Sequence, residues 1–282
     1  MSETATGRVW LITGASSGFG RAVAEAALAA GDTVVAGVRR LAAADDLADK
    51  YPGRATAIEL DVTNGSQITA AVAATMLWHG RIDVLVNNAG RGLVGAVEET
   101  TDRELRDLMD VHFFGPAALI RAVLPHMRAQ GSGAIVNLTS MGGRFSFAGV
   151  GAYSATKFAL EGLSEALAPE VAPFGIKVLI AEPGAFRTGF AGGALQQSRA
   201  LAAYADITRA VRADLPATDG SQPGDPARAA DAILQALASD KTPLRLALGN
   251  DAADMIAAYL DDSRAEFGAW EHITRSTDYD AG

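Results

Sequence analysis

One feature constrains this chain more than any other: an alternation of two kinds of segment. Short β-branched runs stand at VWLIT (9–13), TVVAGV (33–38), ATAIEL (55–60), IDVLV (82–86), AIVNLT (134–139), IKVLIA (176–181) and LRLALG (244–249). Most are apolar almost throughout rather than at every second position, which marks strands buried on both faces. Longer alanine-rich stretches such as GRAVAEAALAAG and SQITAAVAATMLWHG separate them and suit helices. Parallel strands need long crossover connections, and helices supply them. The pattern predicts an α/β, doubly wound domain with a central parallel sheet of about seven strands flanked by helices. In such sheets ligands sit beyond the carboxyl ends of the strands.

The 282 residues read as a single domain over 1–282, with 49% hydrophobic residues to fill its core. Segment 189–225 weakens the alternation, and its "PATDGSQPGDP" (216–226) is strongly turn-forming. It reads either as a substrate-binding loop or lid, or as a spacer before the C-terminal helices and last strand of 226–282. The formal net charge of −9 suits neither nucleic acid nor an anionic membrane face. The absence of cysteine excludes disulfides, thiolate zinc sites and a cysteine nucleophile. His79, His112, His126 and His272 lack metal-ligand spacing, so no metal is expected. The start, MSETATGR, lacks an apolar leader and no apolar run reaches bilayer length, so residence in the cytoplasm is the expectation.

"TGASSGFG" (13–20) follows the first strand and opens a helix. Gly14 permits a tight turn, Gly18 a close approach of backbone to a pyrophosphate, and Gly20 close packing of helix on sheet. Ser16 and Ser17 offer hydroxyls and a helix cap, and the free N–H groups of the first turn, around Phe19, suit an anion. The second strand ends Val38-Arg39-Arg40. Valine cannot accept a hydrogen bond from a ribose 2′-OH, whereas arginine suits a 2′-phosphate. NADP(H) is therefore preferred to NAD(H), with Arg39 the better candidate; solvated surface charge is the alternative.

"GAYSATKFALEG" (151–162) sets Tyr153 and Lys157 one helical turn apart. Alone, such a pair reads as decoration of a helix surface. In order with TGASSGFG, LDVT (60–63), NNAG (87–90), Ser140 in "NLTS", YSATK (153–157) and "PGAFRT" (183–188), it resembles the short-chain dehydrogenase/reductase family over roughly Arg8 to Thr188. The resemblance implies a Rossmann-type fold and a single-domain, bacterial-type oxidoreductase. It implies that Asp61 and Val62 flank an adenine, and that Asn88, Ala89 and Gly90 line its ribose. Asn87 would brace the sheet, and Pro183, Gly184, Phe186 and Thr188 would hold the nicotinamide end. Ser140, Tyr153 and Lys157 would be catalytic, and the chain would form a homodimer or homotetramer.

Hydride transfer to a carbonyl leaves charge on oxygen that a donor must meet. Tyrosine's ordinary pKa of ~10 is too high for a free base near neutrality. An ammonium at ~4 Å could lower it toward ~7. Tyr153 would then move the proton, Ser140 would hold the substrate oxygen, and Lys157 would tune the phenol and bind the nicotinamide ribose.

The family places an asparagine where this chain reads DVHFFGP, with His112 in its position. His112 shares a face with Leu105, Leu108 and Met109, so it reads as a core histidine or as a titrating group of the catalytic set. Pro116 has no N–H for the His112 carbonyl, which would be free to hold a water near Lys157. Leu93, Val94, Phe145, Phe147, Val150, Phe186 and Phe190 fall near the expected site and suggest an apolar ketone, aldehyde or secondary alcohol, unless they are ordinary packing. The alternatives are an NAD-dependent alcohol dehydrogenase on the same fold and a non-catalytic NADPH-binding redox sensor.

Overall fold

A computed structural model describes residues 7–279. Residues 1–6, within the stretch read above as lacking a leader, and 280–282 lie outside the described residues. In chain order the elements are β1 (Val9–Thr13), α1 (Gly18–Ala29), β2 (Thr33–Val38), α2 (Asp45–Lys50), β3 (Ala55–Glu59), α3 (Gly65–His79), β4 (Val84–Asn87) and β5 (Gly92–Val94). Then come α4 (Asp102–Met109), α5 (Gly115–Gln130), β6 (Gly133–Leu138), α6 (Gly151–Val171), β7 (Ile176–Pro183) and β8 (Leu195–Gln197). The chain closes with α7 (Ala205–Ala217), α8 (Pro226–Ala238), β9 (Arg245–Leu248) and α9 (Asn250–Arg275).

The seven apolar runs form one parallel sheet in the order β3-β2-β1-β4-β6-β7-β9. Side chains alternate between its faces. Trp10 and Ile12 of β1 point to one face, where Val23, Ala27 and Leu28 of α1 and Ile233 and Leu237 of α8 cover them. Leu11 points to the other, against Leu119, Val123 and Met127 of α5. Burial on both faces is why these strands carry so few polar positions. The strand order reverses between β1 and β4, and the crevice over their carboxyl ends is where such a sheet admits a ligand.

α4 and α5 are one continuous helix whose residues 110–114 are wound as a π-turn, with the Gly115 amide bonded to the Asp110 carbonyl. Pro116 follows directly, so the donor an α-helix would offer the His112 carbonyl is missing. By length and composition an 18-residue window of this 29-residue helix, at mean hydropathy 1.2, is apolar enough to cross a bilayer, contrary to the expectation above; 44% of that window is buried inside the fold.

Segment 189–225 is more ordered than its composition suggested. β8 pairs in parallel with β5, and α7 follows. Three-residue strands are too short to show a periodicity. α7 packs close to Gly149, which has φ +88°: a Cβ there would stand 2.6 Å from Val211 Cγ1.

Candidate active site

A cleft of about 910 Å³ opens over the carboxyl ends of the strands. At its floor, Gly14 and Gly18 have φ of +66° and +55°, which L-residues with side chains rarely adopt. Gly20 serves packing instead. A Cβ there would lie 2.5 Å from the Gly14 carbonyl oxygen and collide with the Asn88 amide. Thr13, which sequence reasoning passed over, laces the loop to β4. Its Oγ1 accepts from the amides of Asn88 (2.9 Å) and Ala89 (3.0 Å) and donates to the Val86 carbonyl. Asn88 Nδ2 returns two bonds, to the carbonyls of Thr13 (2.9 Å) and Gly14 (3.1 Å). A hydroxyl at the end of β1 was the available signal. Ser17 occupies the N-cap of α1, but its hydroxyl makes no capping bond, which corrects the expected cap. Ser16, Ser17, Gly18 and Phe19 line the cleft, and no acidic residue occupies the first turn of α1. An electropositive helix start with free hydroxyls fits a phosphate group.

Arg39, Asp61, Val62, Asn88, Ala89 and Gly90 continue the wall. Arg39 is exposed and makes no ion pair among the described residues. Asp61 accepts from the Thr63 amide (2.9 Å) and hydroxyl (2.8 Å). These bonds, with Arg39 and Arg91 nearby, hold its carboxyl below its ordinary value. The cleft thus joins anion donors, an ionised carboxylate and a free guanidinium, a set that fits a dinucleotide.

Val150 precedes α6, and Tyr153 and Lys157 rise from its first two turns into the cleft. Lys157 is buried, and its Nζ donates to the Leu138 carbonyl at 2.9 Å. It lies 5.7 Å from the centre of the Tyr153 ring. Desolvation of the half-buried Tyr153 phenol pushes it up to about 12, with the Ser140 hydroxyl acting the other way. Burial also pulls Lys157 down to about 8, against the opposing charge of Glu161. The expected fall of Tyr153 toward neutrality is therefore corrected: desolvation dominates, while the Lys157 ammonium is turned to the Leu138 carbonyl. Ser140 Oγ accepts from the Gly142 amide at 3.0 Å and approaches the Pro183 carbonyl at 3.5 Å.

His112 is 1% exposed, and its ring stands edge-on to Tyr153, centroids 5.6 Å apart. Its Nε2 accepts from the Arg91 amide at 3.0 Å, so the ring proton sits on Nδ1, 2.8 Å from Thr156 Oγ1. Thr156 Oγ1 donates in turn to the Tyr153 carbonyl at 2.7 Å. Burial first, then Lys157 and Arg91, push its pKa well below the ordinary value. The reading of this imidazole as a titrating group is corrected: it is a neutral tie between the loop after β4, the π-turn and α6. The tie also explains Gly90, where a Cβ would stand 2.9 Å from His112 Nε2.

Across the cleft, Gly184, Phe186 and Thr188 line the wall, with Phe186 against Phe19 at 4.9 Å between centroids. Pro183 and Gly20 are set behind the surface rather than in the lining. Asp251, at the start of α9, accepts from the Ala185 amide at 2.6 Å, and its carboxylate fills the space a Cβ on Gly184 would need. Nothing in the sequence singled it out. Leu93, Val94, Phe147, Val150 and Phe190 line the other end, joined by Leu195 and Leu215 of the 189–225 segment. Phe145 does not; it packs on Tyr259 instead.

The sequence profile described as short chain dehydrogenase matches residues 8–199. An oxidoreductase of Botryotinia fuckeliana, BOA17, is 36% identical over 95% of this chain and 98% of its own. A 3-ketodihydrosphingosine reductase of Bacteroides thetaiotaomicron is 43% identical over 65% of each. The crystal structure of a short-chain dehydrogenase from Streptomyces avermitilis superposes with a TM-score of 0.91 at 60% identity, over 96% of this chain and 100% of that one. A short-chain dehydrogenase from Burkholderia cenocepacia, solved with NADP, is 26% identical at a TM-score of 0.73 over 95% of this chain and 98% of its own. A 3-ketoacyl-(acyl-carrier-protein) reductase from Brucella melitensis, solved with NADH, is 28% identical at 0.72 over 86% and 96%.

Proposed function

The chain belongs to the short-chain dehydrogenase/reductase family, and from that premise we propose that it is an NADP(H)-dependent carbonyl reductase or alcohol dehydrogenase acting on an apolar ketone, aldehyde or secondary alcohol. The observation that carries this reading is the half-buried Tyr153 side chain, which lines the cleft together with Ser140, Lys157 and an apolar wall. Gly14, Ser16, Ser17, Gly18, Phe19, Asp61, Val62, Asn88, Ala89 and Gly90 would hold the adenosine half and the diphosphate. Arg39 would meet a 2′-phosphate, and Gly184, Phe186, Thr188 and Lys157 the nicotinamide half.

A bound nicotinamide supplies or accepts the hydride. In reduction, Tyr153 gives its phenolic proton to the carbonyl oxygen as negative charge develops there, and Ser140 Oγ donates a second hydrogen bond to that oxygen. The Lys157 ammonium stabilises the phenolate left behind until solvent reprotonates it. In oxidation the proton runs the other way. Leu93, Phe147, Val150, Phe190 and Leu195 exclude water and favour an apolar substrate. The 3-ketodihydrosphingosine reductase among its relatives, matched over 65% of its length, supports a ketone substrate.

The test is an NADPH-oxidation screen over ketones and aldehydes of graded apolar bulk, repeated with NADH. Turnover with NADPH and alkyl ketones supports the reading. Cofactor binding without turnover anywhere in the panel favours a non-catalytic NADPH sensor. Leu105 and Phe114, exposed on α4 and at the π-turn, support association into a homodimer or homotetramer, which sedimentation would measure.

A further inference from the structure

Behind Lys157 the fold buries two carboxyl groups that the chemistry above leaves unused. Glu161 follows Lys157 by one turn on the buried face of α6, and Glu182 stands near the carboxyl end of β7; they are 3% and 2% exposed. They converge on one guanidinium. Arg245 Nε, from β9, lies 3.2 Å from Glu161 Oε2 and 3.3 Å from Glu182 Oε1. Arg245 Nη2 is already engaged with the more exposed Glu165 at 2.7 Å. Arg144 adds a second cation 3.6 Å from Glu182 Oε1. Oε1 of each buried carboxyl group has no hydrogen-bond partner. Glu161 Oε1 is pressed against Gly143, in the turn that begins at Ser140, where a Cβ would collide with it.

Glu161, Glu165 and Glu182 against Arg144 and Arg245 leave one negative charge over. The nearest remaining cation on α6 is Lys157 itself. We propose that Glu161 and Glu182 share one proton at low pH and form a positioning pair for Lys157, and that the pair's release of this proton as pH rises holds the lysine in its ammonium form. Two buried carboxylates beside one another cannot both ionise cheaply, and they titrate as a unit. Burial raises both, with Glu182 pushed up to about 7 by its burial and by the neighbouring Glu161 carboxylate. The groups facing the pair are Lys157 and Glu165 on α6, Arg245 on β9, Arg144 in the turn after β6, and the Thr139 hydroxyl. Once the proton leaves, the added negative charge lies one turn from Lys157 and opposes its deprotonation. Neither carboxyl group touches the substrate region of the cleft. The proposal rests on the role given to Lys157 above, but its test reads the lysine directly and not turnover.

The chain has four lysines, Lys50, Lys157, Lys177 and Lys241, so carbon-13 labelling at lysine Cε gives four resonances, and Lys157→Arg assigns the one that matters. The full chain is titrated as wild type, Glu161→Gln, Glu182→Gln and Glu165→Gln, with carboxyl carbons of glutamate labelled in parallel. In both buried-site variants the Lys157 midpoint should fall by about one pH unit, a tenfold loss of proton affinity, while Glu165→Gln moves it less than half as far. The wild-type carboxyl spectrum should show one proton released between about pH 6 and 8 that both variants lack. An unchanged Lys157 midpoint in Glu161→Gln and Glu182→Gln overturns the proposal. Should either variant fail to fold, the wild-type carboxyl titration decides: no glutamate titrating in the neutral range overturns it equally.

Discussion

Lys157 Nζ donates to the Leu138 carbonyl at 2.9 Å, while the centre of the Tyr153 ring lies 5.7 Å away. The ammonium is anchored to the end of β6, and the phenol beside it remains an acid. A proton donor at rest is the form that carbonyl reduction needs, and much of the pH behaviour follows from this pair.

The reduction rate should have an alkaline limb set by Lys157, which burial pulls down to about 8. The active form carries the proton, so kcat/KM holds below that value and falls about tenfold per pH unit above it. A kcat/KM profile still level at pH ~10, governed only by a phenol pushed up to about 12, would contradict this assignment.

The same burial makes Lys157 a cost to the fold. Its folded-state pKa of about 8 lies below the ordinary 10.5, so the unfolded chain binds the proton more tightly. The penalty is fully present below about pH 8 and is relieved as pH rises from there to 10.5. At pH 7 it amounts to about 3 kcal/mol, offset by about 1 kcal/mol for the bond to Leu138. Lys157→Met should therefore raise Tm by several degrees at pH ~7 and gain little at pH ~10.5 while removing turnover. Equal Tm differences at both values would count against the burial account.

His112 should not titrate in the physiological range. Its ring carbon shift should stay constant through the neutral range, because both ring nitrogens are committed and the ring is buried. His112→Leu leaves the Arg91 amide and the Thr156 hydroxyl without this partner and should cost about 2–4 kcal/mol in urea unfolding. A histidine resonance assigned to His112 that moves near pH 6.5 would reverse this reading.

Arg39 is the residue on which cofactor choice should turn. Arg39→Asp replaces a free guanidinium at the end of β2 with an acceptor suited to a ribose 2′-OH. KM for NADPH is expected to rise at least ~10-fold, with KM for NADH falling. Unchanged KM for both cofactors would place the 2′ position elsewhere.

The sheet was legible because fully buried parallel strands carry continuous apolar runs, as in TVVAGV and IKVLIA. β5 and β8 were not, since three residues give no pattern. The glycine loop was legible from its place after β1, but Thr13 was not, because its bonds run to residues 75 and 76 positions away. His112 could be set on a helix face, yet its partners lie 21 and 44 residues off and decide its charge. The Tyr153 pKa depends on burial depth and on where the Lys157 ammonium points. Spacing along a helix specifies neither. Asp251 reaches Ala185 across 66 residues, beyond any local signal.

The most direct test of Tyr153 as the proton donor is a paired measurement on Tyr153→Phe: NADPH affinity by fluorescence and single-turnover carbonyl reduction on the same preparation. The phenyl ring preserves the packing against His112 and Phe190 and deletes only the hydroxyl. NADPH should bind within about threefold of wild type while turnover falls at least ~10³-fold. Turnover within tenfold of wild type, with binding intact, would contradict it.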